Sequence, residues 1–483
     1  MGNSERGKKV ISGLIWTYGE RALADFVSFI VSVILARILL PECYGVIALV
    51  TVFMTILQVF VTNGLSDYLI QKKEINYIDF SVVFWLNIIF ACVIYLFIFL
   101  ISPVAAQYYG LTELKIILRV MGLKILIAAF NSVQQAYICR TMDFKKFFKA
   151  TSVGTILSAI VGIGLAYAGA EVWALIAQYL VNSLVDTIML FLQAKWRPCF
   201  CFSLNKAKDI VIYGWKIVMC SLLGAFYGEF RTFIIGKRYN ASSLAYYNYG
   251  KKLPRLIVDN ISAAMGKVLF PTFSEMQNEK ENFAFNVKMA LKLNIYIITP
   301  ILIGLAVIAP ALIQVLLTDK WIESVYYVRV FCVCYISKPV TTMYAQALKA
   351  LGENACLLAI QTVSMIANIL IVLFAVFRLD SVEAIAMGVL LGTMLEILLY
   401  LFAVKRKINL KIGEQFRIIL FNSLPALVMG VCVFFLEKIN CFSYLLLVLQ
   451  VVVGVIVYLL WSVIFRPDGY REVHKLIKLV TKR

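Results

Sequence analysis

The chain has 483 residues, of which 62% are hydrophobic and 15% charged; 46 Lys and Arg against 27 Asp and Glu give a net charge of +19, and mean hydropathy is +0.88. No soluble core buries so large an apolar share, so composition excludes a soluble globular protein and points to one that crosses a membrane repeatedly. The apolar runs mostly reach about twenty residues, whereas barrel strands alternate over about ten, so the fold class is an all-α integral membrane protein.

In chain order, the apolar pattern predicts helices over 10–39, 43–70, 79–102, 112–139, 147–168 and 171–194. A second series follows over 209–236, 242–274, 283–309, 324–350, 353–377 and 381–404, and then a pair over 414–437 and 441–465. The total is about fourteen spans. The first apolar run is too long for a signal-peptide core and no small-residue cleavage site follows it, so it counts as a helix. Gly2 to Lys8 has phosphate-loop spacing, but Lys9 holds the Ser/Thr position and no strand precedes it, which makes the match fortuitous. Asn240-Ala241-Ser242 has the pattern of a glycosylation acceptor, relevant only in a secretory compartment. The eleven Cys lie mostly in apolar runs, and the pairs Cys199/Cys201 and Cys332/Cys334 lack metal-site spacing, so they read as small core residues and no metal is expected. The lone His474 falls in a basic tail and reads as solvated.

The second half repeats the first. Ser102-Pro103-Val104-Ala105-Ala106-Gln107 returns as Ala309-Pro310-Ala311-Leu312-Ile313-Gln314, and Pro103 to Pro310 is 207 residues. Arg119 to Arg329 is 210 residues, and Asp186 to Glu396 is again 210. Six crossings is an even number, so both repeats enter from one side and are related by an axis along the membrane normal. The expected organisation is an N-terminal lobe (1–208, helices 1–6), a C-terminal lobe (209–408, helices 7–12), and an unrepeated pair with a basic tail (409–483).

Lys and Arg set the orientation. Loops on the N-terminal side carry Arg6, Lys8, Lys9, Lys72, Lys73, Arg140, Lys145, Lys146, Lys149, Lys195, Arg197, Lys206, Lys208, Lys405, Arg406, Lys407 and Lys411, and the tail from Arg466 onward adds more. The opposite loops are short and carry few, so both termini are expected in the cytoplasm. Much of the net charge is thus topological and gives no ground for nucleic-acid binding.

Charge at membrane depth is the unusual feature, because each charged side chain at a helix centre costs about 2.5–3.5 kcal/mol and needs a partner or a wet cavity. The basic set is Arg21, Lys124, Arg231, Lys251, Lys252 and Arg255; the acids are Glu20, Asp25, Asp186, Glu229, Asp259 and Glu396. Arg21 with Asp25 and Arg255 with Asp259 stand four apart, where mutual neutralisation is the plain structural reading, while Lys216, Lys267 and Lys338 snorkel to an interface. The basic set, in surplus over the obvious deep acids, is read as a cationic lumen for an anionic, phosphate-bearing substrate. Asp186 and Glu396, at matched positions, are the candidates for coupling, since a buried carboxylate with a raised pKa can bind and release a proton.

Leu35-Ala36-Arg37-Ile38-Leu39-Leu40-Pro41-Glu42-Cys43-Tyr44-Gly45, Gly64-Leu65-Ser66-Asp67-Tyr68-Leu69-Ile70-Gln71, Phe84-Trp85-Leu86-Asn87 and Arg140-Thr141-Met142-Asp143-Phe144-Lys145 resemble the polysaccharide transporter family. That family includes Wzx-type flippases and proteins resembling the colanic acid and teichuronic acid exporters, within the MOP superfamily of MATE exporters and the lipid II flippase. The resemblance spans nearly the whole chain and is densest over 10–150; Cys43 and Tyr68 depart from the usual small or acidic residue and Ala.

The resemblance implies two six-helix lobes around a central cavity that opens alternately to each side. It also implies a flippase, not an enzyme, that moves an undecaprenyl-pyrophosphate-linked oligosaccharide across the bacterial inner membrane for O-antigen, capsule or exopolysaccharide synthesis. It further implies no cofactor, coupling to an H+ or Na+ gradient or the membrane potential, and pathway partners such as a polymerase and glycosyltransferases. Trp16, Tyr18, Tyr227, Tyr246, Tyr247 and Tyr249 would stack on sugars, against the alternative of interfacial belt residues. Two other classes stand beside this reading: a MATE-like multidrug antiporter, which calls for an acidic cavity, and a membrane enzyme on lipid-linked sugars, which calls for a large outer loop or catalytic acids.

Overall fold

The computed structural model describes residue 19 and residues 23–481, apart from 63–64, 73–74, 142, 195 and 438–441. Every regular element among the described residues is helical, and eleven of the helices are long and apolar enough to cross a membrane. In a bilayer each backbone polar group must be satisfied inside its own segment, which is why an apolar chain of this kind is built from helices. Three of the expected spans lie outside the eleven. The first is helical, among the described residues, over 23–38. The span expected at 242–274 is a helix, Ala241–Glu275, and it carries Lys251, Lys252, Arg255 and Asp259. The span expected at 324–350 is broken into Ser324–Tyr335 and Lys338–Ala350. Pro339 sits in the first turn of the second piece, where its missing N–H does no harm, and it cannot continue the helix that precedes it.

The chain divides into two compact units, 1–245 and 246–483. The first holds α1 (23–38), α2 (Pro41–Thr62), α3 (Leu65–Gln71), α4 (Tyr77–Tyr109), α5 (Leu114–Thr141), α6 (Phe144–Tyr167), α7 (Val172–Gln193) and α8 (Leu204–Arg238). The span expected at 43–70 is therefore two helices, α2 and α3. The division falls early in α9 (Ala241–Glu275). The second unit continues with α10 (Lys280–Leu317), α11 (Ser324–Tyr335), α12 (Lys338–Ala350), α13 (Asn354–Phe374), α14 (Val382–Ile408), α15 (Ile412–Leu436), α16 (Ser443–Phe465) and α17 (Asp468–Thr481). α8 opens the second sequence repeat, yet it packs on α2, α3 and α4 of the first unit, so repeat and packing unit part company there.

Each unit has its own core. In the first, Val50 and Met54 of α2 meet Leu118 and Met121 of α5 and Leu175 of α7. In the second, Phe273 of α9, Val287 and Leu291 of α10, Met343 and Leu348 of α12, and Leu401 of α14 pack together. Large apolar residues also remain on the outside, among them Leu100, Leu192, Leu370, Phe377 and Phe402, as expected of helices whose outer faces meet lipid tails rather than water.

Proline kinks give each unit one shared device. Pro103 lies inside α4 and Pro310 inside α10, and each lacks the N–H that would reach the carbonyl four residues earlier. Those carbonyls belong to Phe99 and Ala306. Arg119 of α5 donates from Nη2 to the Phe99 carbonyl at 3.2 Å, and Arg329 of α11 donates from Nε to the Ala306 carbonyl at 3.2 Å. In each unit, therefore, the arginine related by the repeat supplies from a neighbouring helix the hydrogen bond that proline removes.

Candidate functional site

In the first unit, the deep charges sit on α5, α7 and α8 beside aromatic rings or backbone. Lys124 on α5 holds its Nζ 5.4 Å from the ring centre of Tyr179 on α7, an attraction worth more where water is excluded. Seven residues on, and so on the same face of α7, Asp186 lies against α6. A Cβ on Gly154 would stand 2.2 Å from Asp186 Oδ1, so only glycine lets α6 approach this carboxylate. The guanidinium of Arg231 lies 5.6 Å from the Tyr227 ring one turn earlier on α8; Glu229 and Asp25 are half-buried on α8 and α1. Between α5 and α7 an apolar cleft of about 590 Å3 is lined by Leu126, Ile127, Phe130, Leu184, Ile188 and Phe191.

In the second unit, the charges concentrate on α9. This helix presses so closely on α11 that a Cβ on Gly250 would come within 2.4 Å of Tyr327, which fixes the direction of the following residues. Lys251 is half-buried, while Lys252 and Arg255 are exposed. Lys252 Nζ lies 5.5 Å from the Tyr249 ring. Arg255 Nε binds Asp259 Oδ2 at 3.0 Å, the pairing that their four-residue spacing predicts. Three cations against one anion leave this stretch positive. Glu396 on α14 is half-buried one turn before the buried Tyr400. The crossing of α13 and α14 closes elsewhere, where Asn368 Oδ1 would lie 2.2 Å from a Cβ on Gly392. Asp186 and Glu396 thus match in sequence but not in surroundings.

Among the other sequence candidates, Glu20, Arg21, Trp16 and Tyr18 lie outside the described residues. Of the proposed sugar-stacking aromatics, Tyr246 and Tyr249 pack on Trp321, with ring centres 6.0 and 4.7 Å away, and Tyr247 packs on Phe331 at 5.2 Å. Among the described residues, no group of three or more His, Cys, Asp or Glu is arranged to hold a metal ion. Asn240, first residue of the apparent glycosylation triplet, accepts the Ser243 N–H on its Oδ1 at 2.7 Å, so its side chain caps the start of α9.

Several basic residues counted as orientation signals also hold structure. Arg140 donates to the carbonyls of Leu69 and Lys72 at 2.9 and 2.7 Å, and Lys206 Nζ reaches Asp79 Oδ1 at 2.6 Å. Sequence patterns missed Arg119 and Arg329 as kink partners, although a proline within an apolar run already marks an orphaned carbonyl four residues earlier.

The profile of a family described as "Polysaccharide biosynthesis protein" matches residues 34–326. The succinoglycan biosynthesis transport protein ExoT of Rhizobium meliloti (strain 1021) is 26% identical over 361 residues, 72% of this chain and 71% of that protein. Among solved structures, lipid II flippase MurJ in an inward closed conformation superposes with a TM-score of 0.74 at 16% identity, covering 96% of this chain and 99% of its own. An inward-facing MATE family multidrug resistance transporter of the MOP superfamily superposes with a TM-score of 0.61 at 14% identity, covering 79% of this chain and 94% of its own. At these identities the two structures bear on the fold, which is the multi-helix transporter fold expected from the sequence.

Proposed function

The chain belongs to the polysaccharide biosynthesis protein family, and from that membership we propose that it is a flippase for a lipid-linked oligosaccharide. In this reading it carries an undecaprenyl-pyrophosphate-linked repeat unit from the cytoplasmic to the outer leaflet of a bacterial inner membrane by alternating access. The product feeds surface polysaccharide synthesis, and the protein performs no catalysis of its own. The observation that carries the reading is the family match, which runs from α1 into α11. A relative named for succinoglycan transport and a fold shared with a lipid II flippase support it. Both termini are assigned to the cytoplasm by the basic loops.

The physical demands of this cargo agree with the residues present. A pyrophosphate and its sugars cannot cross hydrocarbon without replacing their hydration, whereas a polyprenyl chain is at home in lipid. Lys251, Lys252 and Arg255 on α9, with Lys124 and Arg231 in the first unit and Arg21 near the N-terminus, are the candidates to receive the phosphates. Asp186 and Glu396 are the candidates for coupling to H+, Na+ or the membrane potential, with Glu20, Asp25, Glu229 and Asp259 completing the charge network. A substrate bound equally well in both conformations drives nothing, so directed export requires that some ion or voltage favour one of them. Polymerase and glycosyltransferases of the same pathway are the expected neighbours in the cell.

Deleting the gene should make lipid-linked repeat units accumulate on the cytoplasmic leaflet, and purified protein in proteoliposomes should move them across. Lys252→Glu combined with Arg255→Glu should abolish that movement while the protein still folds. The rival multidrug antiporter shares the fold, but a carrier of cationic drugs calls for an acidic path, which the positive stretch of α9 opposes. Unchanged lipid intermediates together with lost drug efflux in the deletion strain would overturn the flippase reading in favour of that rival.

A further inference from the structure

Where α16 turns into α17, a cavity of about 500 Å3 opens in the second unit at the basic ends of α10, α15 and α16. Its lining combines ionic residues, Lys288, Lys292, Glu414, Arg417, Arg466, Asp468 and Arg471, with the aromatic Phe421, Trp461 and Phe465, and the Arg417 guanidinium lies 5.4 Å from the Phe421 ring. Both acids are matched by lysines: Lys288 Nζ binds Glu414 Oε1 at 2.5 Å and Lys292 Nζ binds Asp468 Oδ2 at 2.7 Å. The Lys292 hydrogen bond, with Arg471 and Arg417 farther off, holds the Asp468 carboxyl below its ordinary range. Five cations against two anions leave Arg417, Arg466 and Arg471 as the positive excess.

Arg466 and Arg471 stand on either side of a fastened turn. Arg466 closes α16 in the left-handed region at φ 44°, a conformation an L-residue keeps only where its surroundings impose it. Gly469 donates its N–H to Asn422 Oδ1 at 2.8 Å, and a Cβ there would fall 2.5 Å from Tyr296 Cβ. Tyr296 in turn donates to Ser462 Oγ at 2.7 Å, and Tyr458 donates to the Tyr296 carbonyl at 2.6 Å. The start of α17 is thus tied to α10, α15 and α16.

We propose that this cavity binds the headgroup of an anionic phospholipid, with the phosphodiester held by Arg417, Arg466 and Arg471 and the first acyl carbons laid against Phe421, Trp461 and Phe465. The forked donors of arginine suit phosphate oxygens. A lining that offers both arginines and aromatic rings suits an amphiphile, and basic pockets between the ends of membrane helices are where such headgroups lodge. A free phosphate ion would use the arginines and leave Trp461 and Phe465 without purpose. None of the residues assigned to the transported cargo takes part, so the inference stands or falls separately from the flippase reading.

Native mass spectrometry of the full chain, titrated with phosphatidylglycerol or phosphatidylcholine, tests it. Wild-type protein should retain phosphatidylglycerol in preference, and Arg417→Ala/Arg466→Ala/Arg471→Ala should weaken that retention about a hundredfold, at the usual worth of a basic side chain beside a lipid phosphate. If the triple variant does not fold, the exposed single change Arg417→Ala answers the same question with a loss of about fivefold. Lys405→Ala/Arg406→Ala, at the exposed end of α14, should leave retention unchanged. Undiminished retention in the folded arginine variants, equal retention of phosphatidylcholine, or displacement of the lipid by millimolar inorganic phosphate would each overturn the proposal, the last by making the cavity a soluble-anion site.

Discussion

At Pro103 the orphaned carbonyl of Phe99 has two donors: Arg119 Nη2 at 3.2 Å and Ser102 Oγ at 3.0 Å. Arg119 Nε also donates to Ser102 Oγ at 2.9 Å, and its guanidinium lies 3.7 Å from the Phe99 ring. At Pro310 the carbonyl of Ala306 receives Arg329 at 3.2 Å, and Ala309, which stands where Ser102 does, has no hydroxyl to offer. Arg329 reaches instead to Glu437 at the end of α15, 3.2 Å away. The repeat has kept the arginine that completes the kink and let everything around it diverge. Among the described residues the first kink is served from α4 and α5, whereas the second is tied to the helices appended after the repeat.

That difference orders the expected effects of mutation. Arg329→Met should be the most damaging, by on the order of 2–3 kcal/mol, because it leaves the Ala306 carbonyl without this donor and Glu437 without its cation. Adding Pro310→Ala should return about 1 kcal/mol of that loss by restoring the helix's own N–H. Thermal unfolding in detergent, run as a double-mutant cycle, measures both; purely additive effects would show that Arg329 does not serve the kink. Arg119→Met should cost less, about 1–2 kcal/mol, since Ser102 still donates to Phe99. Ser102→Ala in that background should bring the loss up to the Arg329→Met value, and a first kink indifferent to both changes would break the comparison. Glu437→Gln should be mildest, below about 1 kcal/mol and fading with added salt, as its pair with Arg329 is partly exposed. The salt series distinguishes it from the two arginine variants, whose hydrogen bonds to carbonyls should be far less sensitive to ionic strength.

Much of this fold can be read from the amino-acid order because the signals are long. Apolar runs of span length fix most helices, and the spacing of Pro103 to Pro310 and of Arg119 to Arg329 lays one half over the other. Breaks are harder to see: Lys338-Pro339 ends a helix in the middle of the apolar run 324–350, and an apolar run carries no sign of where it is interrupted except the proline itself. Among the candidate site residues, spacing foretold the Arg255–Asp259 pair, since both partners lie on one helix. It did not foretell Lys124 on Tyr179 or Asp186 on Gly154, whose partners sit on other helices. The arginines at the kinks escaped for a further reason: their partners are backbone carbonyls, which every residue carries and no side-chain pattern marks.

The kinks also have a mechanical consequence. In an ordinary helix, bending stiffness is internal, because each carbonyl is held by an amide of the same rod. At Phe99 and Ala306 the restraint comes partly or wholly from the next helix, so the bend of α4 is geared to the spacing between α4 and α5, and that of α10 to the spacing between α10 and α11. Straightening either rod therefore strains a hydrogen bond to its neighbour. A displacement of α11, or of the end of α15 through Glu437, reaches the α10 carbonyl through Arg329, whereas among the described residues the donors to the Phe99 carbonyl of α4 stand on α4 and α5.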